Sequence, residues 1–70
     1  MTTEKKLDNY IAQRGLKIKY VAEKAEIPYQ RLQASLNGTR KLKVDELLST
    51  CAVLEVDPRL FRSDETEVRV

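Results

Sequence analysis

Leu7, Tyr10 and Ile11, with Arg14 beyond them, recur three and four residues apart, the spacing that gathers side chains on one face of an α-helix. They predict a first helix over residues 4–14, capped by Thr2 or Thr3, with Glu4 in the first turn where negative charge suits the helix dipole. Gly15 supplies a left-handed residue to close it. Val21, Ala22 and Ala25 give a second, short helix over 18–25. Pro28 stops that helix yet suits the first turn of another, so a third is predicted over 28–36 with Leu32 and Leu36 turned inward. Asn37-Gly38 ends it, since both residues tolerate left-handed backbone. Thr39 to Lys43 reads as a loop that Leu42 anchors to the core. Val44, Leu47, Leu48, Cys51 and Leu54 predict a fourth helix over 44–54, and Asp57-Pro58 opens a turn over 58–61 that offers Leu60 and Phe61 to the core. No stretch alternates apolar and polar residues as a strand would. The predicted fold is all-α: a compact bundle of four to five short helices over residues 1–62, followed by a flexible acidic tail over 63–70.

Composition narrows the function classes. Seventy residues hold one domain, near the size at which a single core repays chain entropy, so pairing with a second copy is within reach. No apolar run approaches the ~20 residues of a membrane span. The N-terminal residues lead into an amphipathic stretch rather than an apolar block, so a cytoplasmic chain with no signal peptide and no membrane contact is expected. One Cys and no His leave no disulfide framework and no Cys/His metal site. Cys51 itself lies on an apolar stripe and reads as a small hydrophobe. With no nucleophile–base pair, no glycine-rich phosphate loop and no room for a deep pocket, the expectation is a binding domain. It is not an enzyme and takes no cofactor and no small-molecule substrate. The net charge of +2 conceals an asymmetry. Residues 1–43 carry ten basic side chains against four acidic ones, or +6, whereas residues 44–70 carry three against seven, or −4. A basic front and an acidic back orient a molecule toward a polyanion.

The helices over 18–25 and 28–36 are the informative pair. A connection of two or three residues makes the second cross the first steeply, which is helix-turn-helix geometry with the second helix free to enter a major groove. Gly15-Leu16, Val21-Ala22, Ile27, Leu32, Leu36-Asn37-Gly38 and Arg40 appear in the order and spacing of that motif. Asp45-Glu46-Leu47-Leu48 and Leu54-Glu55-Val56-Asp57-Pro58 follow as a fourth helix and its exit. In these residues the chain resembles the lambda-repressor-like helix-turn-helix family, the phage repressors, Cro proteins and XRE-like transcriptional regulators, over about residues 4–62. Ala22 fits the resemblance physically, because a steep crossing needs a small side chain where backbones approach. The departures are Glu26 where the family usually has a left-handed Gly, and Ile18 where it often has a polar, phosphate-touching residue. Ile11 and Leu36 stand where relatives often bury an Arg–Glu pair, and Ser35 stands where many have a larger apolar side chain.

The resemblance places Tyr29, Gln30 and Ala34 at the principal base-facing positions, with Gln33 nearby. Gln pairs with adenine N6 and N7, and an Ala methyl packs on a thymine methyl, which favours A·T pairs at those contacts. Phosphate contacts are expected from the backbone N–H groups and short side chains of Asn37, Gly38 and Thr39, and from the charges of Arg40, Lys41 and Lys43 at the same edge. Lys17 and Lys19 flank the groove from the other side, and Arg31 reaches a phosphate or a guanine. The resemblance further implies a homodimer, at least on DNA, bound to a palindromic double-stranded operator. It would pair around Val56, Pro58, Arg59 and Leu60. The rival expectation is a protein-interaction module, antitoxin- or anti-repressor-like, that keeps the scaffold without sequence-specific DNA reading. Ile18 and Glu26 favour it, and the basic 37–43 loop opposes it.

Overall fold

The computed structural model describes residues 2–61, so the tail expected over 63–70 lies outside the described residues. Four α-helices and a short 3-10 turn follow one another: α1 (Thr3–Gln13), α2 (Ile18–Ala25), α3 (Tyr29–Leu36), α4 (Val44–Leu54) and the turn Pro58–Phe61. Two starts shift by one residue from the sequence expectation. The Thr2 hydroxyl accepts the Lys5 N–H at 3.1 Å, so Thr2 is the cap and α1 begins at Thr3. Pro28 has a φ of −54° but an extended ψ of 134°, which makes it the cap of α3 rather than its first residue. Among the described residues there is no strand, and no helix is long and apolar enough to cross a membrane.

All four helices end the same way. A left-handed residue follows each one, Gly15 (φ 71°), Glu26 (φ 60°), Gly38 (φ 88°) and Glu55 (φ 59°). The next N–H then turns back to the carbonyl five residues earlier: Leu16 to Ile11 at 3.1 Å, Ile27 to Ala22 at 2.9 Å, Thr39 to Ala34 at 2.9 Å and Val56 to Cys51 at 3.1 Å. This closure satisfies carbonyls that a helix end leaves without partners, and it aims the residue after the left-handed one back across the helix. Leu16, Ile27 and Val56 use that aim to pack on the core, whereas Thr39 is exposed. Asn37, expected to share the left-handed role, stays right-handed at φ −78° and leaves it to Gly38. Glu26 keeps the turn geometry that Gly usually supplies.

The core gathers Leu7 and Ile11 from α1, Val21 and Ala22 from α2, Ile27, Leu32 and Leu36, then Cys51, Leu54 and Phe61. Tyr10 sets the edge of its ring against Phe61, with centroids 5.4 Å apart at 76°. Three apolar residues expected inside are not there: Val44 is 73% exposed, Leu48 51% and Leu60 57%. The inward stripe of α4 runs through Leu47, Thr50, Cys51 and Leu54 instead. Thr50 tolerates complete burial because its hydroxyl donates to the Glu46 carbonyl at 2.8 Å. Val44 and Leu48 lie off that stripe, and Phe61 fills the space that Leu60 was expected to share. Arg14 also leaves the apolar face of α1: it is exposed, stacks over Tyr10 and donates to the Tyr10 hydroxyl at 2.7 Å.

Left-handed backbone strains a side chain with a Cβ by about 1–2 kcal/mol, part of which Gly returns through its greater freedom when unfolded. Glu26→Gly and Glu55→Gly should therefore each stabilise the domain by about 0.5–1 kcal/mol, raising the thermal midpoint by several degrees. Gly15→Ala should lower it by a similar amount through backbone strain alone, since nothing lies within 4 Å of the added Cβ. Calorimetric melting of the three variants checks both signs.

Candidate nucleic-acid interface

The short turn at Glu26-Ile27-Pro28 brings α3 across α2, and the burial of Leu32, Ser35 and Leu36 fixes which side of α3 faces out. Tyr29, Gln30 and Arg31 are exposed, and Gln33 and Ala34 are half-buried. Helical spacing collects Tyr29, Gln30, Gln33 and Ala34 on one side, continued by exposed Asn37. The Tyr29 ring borders a shallow depression between α2 and α3 that Lys19, Ala22, Glu23 and Ile27 complete. Arg31 lies on the other flank, toward α4.

Two helix starts border this face without a side-chain cap, that of α2 at Lys17 and that of α3 at Pro28. Uncapped first-turn N–H groups and the positive end of the helix dipole favour an anion. Lys17 and Lys19 are both exposed beside the first of these ends. The opposite edge differs from the expectation. The N–H groups of Asn37, Gly38 and Thr39 do not point to a ligand. They donate to the carbonyls of Gln33 (2.9 Å), Ser35 (3.0 Å) and Ala34 (2.9 Å) to close α3. What these positions leave outward is the exposed side chains of Asn37 and Thr39, while Gly38 offers neither side chain nor free N–H.

Arg40, read from sequence as loop charge, is turned into the fold. Its Nη1 donates to the Ser35 hydroxyl at 2.8 Å and to Glu46 Oε1 at 3.2 Å. The same Glu46 oxygen accepts the Lys43 N–H at 3.0 Å, and the Arg31 guanidinium stands 3.9 Å from Oε2. Glu46, only 8% exposed, thus ties α3, the loop and the start of α4 together. Burial pushes its carboxyl up, but the Lys43 N–H, the Arg40 hydrogen bond and the charges of Arg40 and Arg31 outweigh that and hold it below its ordinary value. The sequence marks Glu46 only as part of the fourth helix and Ser35 only as a departure from the resembled family. The available signal was an acid three residues after the cap of α4, the spacing at which a side chain reaches back to the cap N–H. Lys41 and Lys43 remain exposed on either side of half-buried Leu42.

The residues expected at a dimer surface gather at the far end of α4, where the 3-10 turn packs on α1 and α4. Val56 and Pro58 are half-buried, while Arg59 and Leu60 are exposed. Arg59 closes a fork on Asp57, with Nη2 at 2.9 Å from Oδ2, and this holds the Asp57 carboxyl below its ordinary value. Cys51 is buried and its thiol is pushed up by burial and by Asp57.

Because the folded Glu46 carboxyl lies below its unfolded value of 4.5, its contribution to stability is whole above that value and is lost as the pH falls through the folded one. Arg31, Arg40 and Lys43 face it, with Asp45 Oδ1 accepting its N–H, and Glu26 shares with it a second shallow depression, between the α2–α3 turn and the start of α4. Glu46→Gln should flatten part of the acid limb of stability against pH. Glu46→Ala, which leaves Arg40 without its carboxylate partner, should destabilise the domain by about 2 kcal/mol at neutral pH. Urea unfolding from acid to neutral pH reads both effects.

The family model for the Cro/C1-type HTH DNA-binding domain matches residues 6–59. Neither the curated proteins nor the solved structures give a significant match to the chain. The match spans all of α2, α3 and α4 and most of α1, with the turn that sets their crossing. The chain therefore belongs to the Cro/C1-type helix-turn-helix DNA-binding domains, a family of DNA-binding transcriptional regulators.

Proposed function

We propose that the protein is a small sequence-specific regulator of repressor or Cro type, which reads double-stranded DNA by seating α3 in the major groove. The observation that carries this is the polar outer side of α3, flanked by a cationic edge on each side. Lys17 and Lys19 stand at one edge, and Thr39, Lys41 and Lys43 at the other, all exposed. Gln30, with Gln33 nearby, presents an amide that matches the N6/N7 edge of adenine, and Ala34 presents a methyl for thymine. Tyr29 adds a ring or hydroxyl at the start of the helix. The flanking lysines, Arg31, Asn37 and the uncapped start of α2 hold phosphates, fixing register and supplying salt-dependent affinity. Arg40 acts at this edge chiefly by shaping it through Ser35 and Glu46.

A homodimer on a palindromic operator completes the reading, with recognition helices one DNA turn, ~34 Å, apart. Leu60, exposed beside half-buried Val56 and Pro58, supports the end of α4 as the pairing surface. Bound over a promoter, such a dimer would exclude polymerase. One observation favours the rival, a protein-interaction module on the same scaffold: Val44 and Leu48 stand exposed one helical turn apart on α4.

Selection of bound sites from a random duplex library separates the two. An enriched palindrome is expected, and Gln30→Ala should relax it at one position per half-site by about 1–3 kcal/mol of discrimination. Enrichment of a lone half-site would keep the reader and remove the dimer. No enrichment, with only weak salt-sensitive binding, would favour the protein-interaction reading.

A further inference from the structure

The loop from Thr39 to Lys43 has no regular hydrogen bonding of its own, yet it carries two of the exposed cations assigned to phosphate. Something must decide where Lys41 and Lys43 point. Leu42 lies between them, with its side chain packed on the core. In extended backbone, neighbours of an inward residue point outward, and the residue that follows Leu42 is extended, with φ −80° and ψ 157° at Lys43. The N–H of Leu42 donates at 2.9 Å to Glu4 Oε2, on a residue thirty-eight positions earlier in the chain. Glu4 is itself seated by the Thr2 cap, which fixes the first turn of α1. Together Thr2 and Glu4 border, with Gly38, Thr39, Arg40 and Lys41, a shallow depression between the start of α1 and the loop.

We propose that Glu4 is a positioning residue for DNA binding: its carboxylate clasps the Leu42 N–H and so holds Lys41 and Lys43 toward the phosphate backbone. This rests on the reading of the loop as a phosphate contact. The sign of the effect separates it from plain electrostatics. Glu4 is an acid at a basic edge facing a polyanion, so as a mere charge it opposes DNA, and its removal should tighten binding at every sequence. As a clasp it does the reverse, and what matters is the acceptor oxygen rather than the charge. Glutamine keeps the acceptor and loses the charge, whereas alanine loses both.

The test is duplex binding by fluorescence anisotropy across a salt series, using the full chain and a short duplex of mixed sequence. Glu4→Ala should bind about three- to tenfold more weakly than the parent, the scale of one hydrogen bond's net contribution, and with a shallower salt slope. Glu4→Gln should bind as tightly as the parent or more so. In amide spectra the Leu42 N–H should exchange faster in Glu4→Ala and not in Glu4→Gln, and melting curves confirm that both variants are folded. Binding by Glu4→Ala at or above the parent level overturns the proposal, as does equal weakening by both substitutions. Lys41→Ala tests the underlying reading separately. An unchanged salt slope in that variant removes the loop from the phosphate contacts, whereas a reduced slope beside an inert Glu4→Ala removes only the clasp.

Discussion

The way the helices end governs the rest of this structure. In each of four places a left-handed residue swings the chain back so that the following N–H closes on the carbonyl five residues earlier. Three of those closures deliver an apolar side chain to the core, which is how so short a chain folds its helices over one another with connections of a few residues. The closure at Glu26 shows which term wins. Left-handed backbone costs a non-glycine residue about 1–2 kcal/mol, while burying an isoleucine gains about 1.5–3 kcal/mol. Ile27, 8% exposed, lands in the core only because Glu26 turns. The same turn sets α3 across α2 and leaves its polar side outward. The fourth closure, after α3, delivers exposed Thr39 instead and starts the basic loop, so one backbone device builds both the core and the edge of the surface we assign to DNA.

Charge at that edge is less abundant than the sequence suggests and better organised. Of the three cations that follow Thr39, Arg40 is spent internally on Ser35 and Glu46. The two acids that approach the loop take backbone N–H groups rather than the ammonium groups of the lysines: Glu4 takes that of Leu42, and Glu46 that of Lys43. An N–H bonded to a carboxylate is among the stronger hydrogen bonds a protein makes. Lys41 and Lys43 are thereby left exposed on a segment whose backbone is fixed at two successive residues. Acidic residues used in this way are compatible with the proposal that this edge meets a polyanion.

The helices, their order and the crossing of α2 and α3 were legible because they rest on local signals: apolar spacing, Gly15, Pro28 and Asn37-Gly38. The inward side of α4 was less so, because Val44 and Leu48 fit helical spacing as well as Thr50 does. Choosing the stripe with a threonine in it requires knowing that its hydroxyl has the Glu46 carbonyl to bond. Leu60 and Phe61 are adjacent apolar residues, and nothing local says which one meets Tyr10. The Arg40–Ser35–Glu46 cluster and the Glu4–Leu42 bond were illegible for a different reason. Each joins side chains to partners on separate elements, so they follow from the packing and not from periodicity. The N–H groups of Asn37, Gly38 and Thr39 were misread because the closure that consumes them depends on Gly38, rather than Asn37, taking the left-handed conformation.

The departures from the resembled family fit together once this is in view. Where relatives often bury an Arg–Glu pair, Ile11 and Leu36 join the apolar core. Exchanging a buried ion pair for apolar residues is often neutral or stabilising, because two charges no longer have to be desolvated. Helix α3 still has an ionic tether, but on its other flank, where Ser35, through Arg40, and Arg31 are held toward Glu46. Arg40 bridges Ser35 and Glu46 at hydrogen-bond distance, whereas exposed Arg31 stands farther off, in a geometry of little net strength. Loss of the Arg31 contact would therefore leave the tether in place. Tyr29 and Gln30, in the first turn of α3, lie in sequence between Ile27 and Leu32, both buried in the core. Their geometry depends on apolar packing, which added salt or mild acid perturbs far less than the loop's ionic contacts.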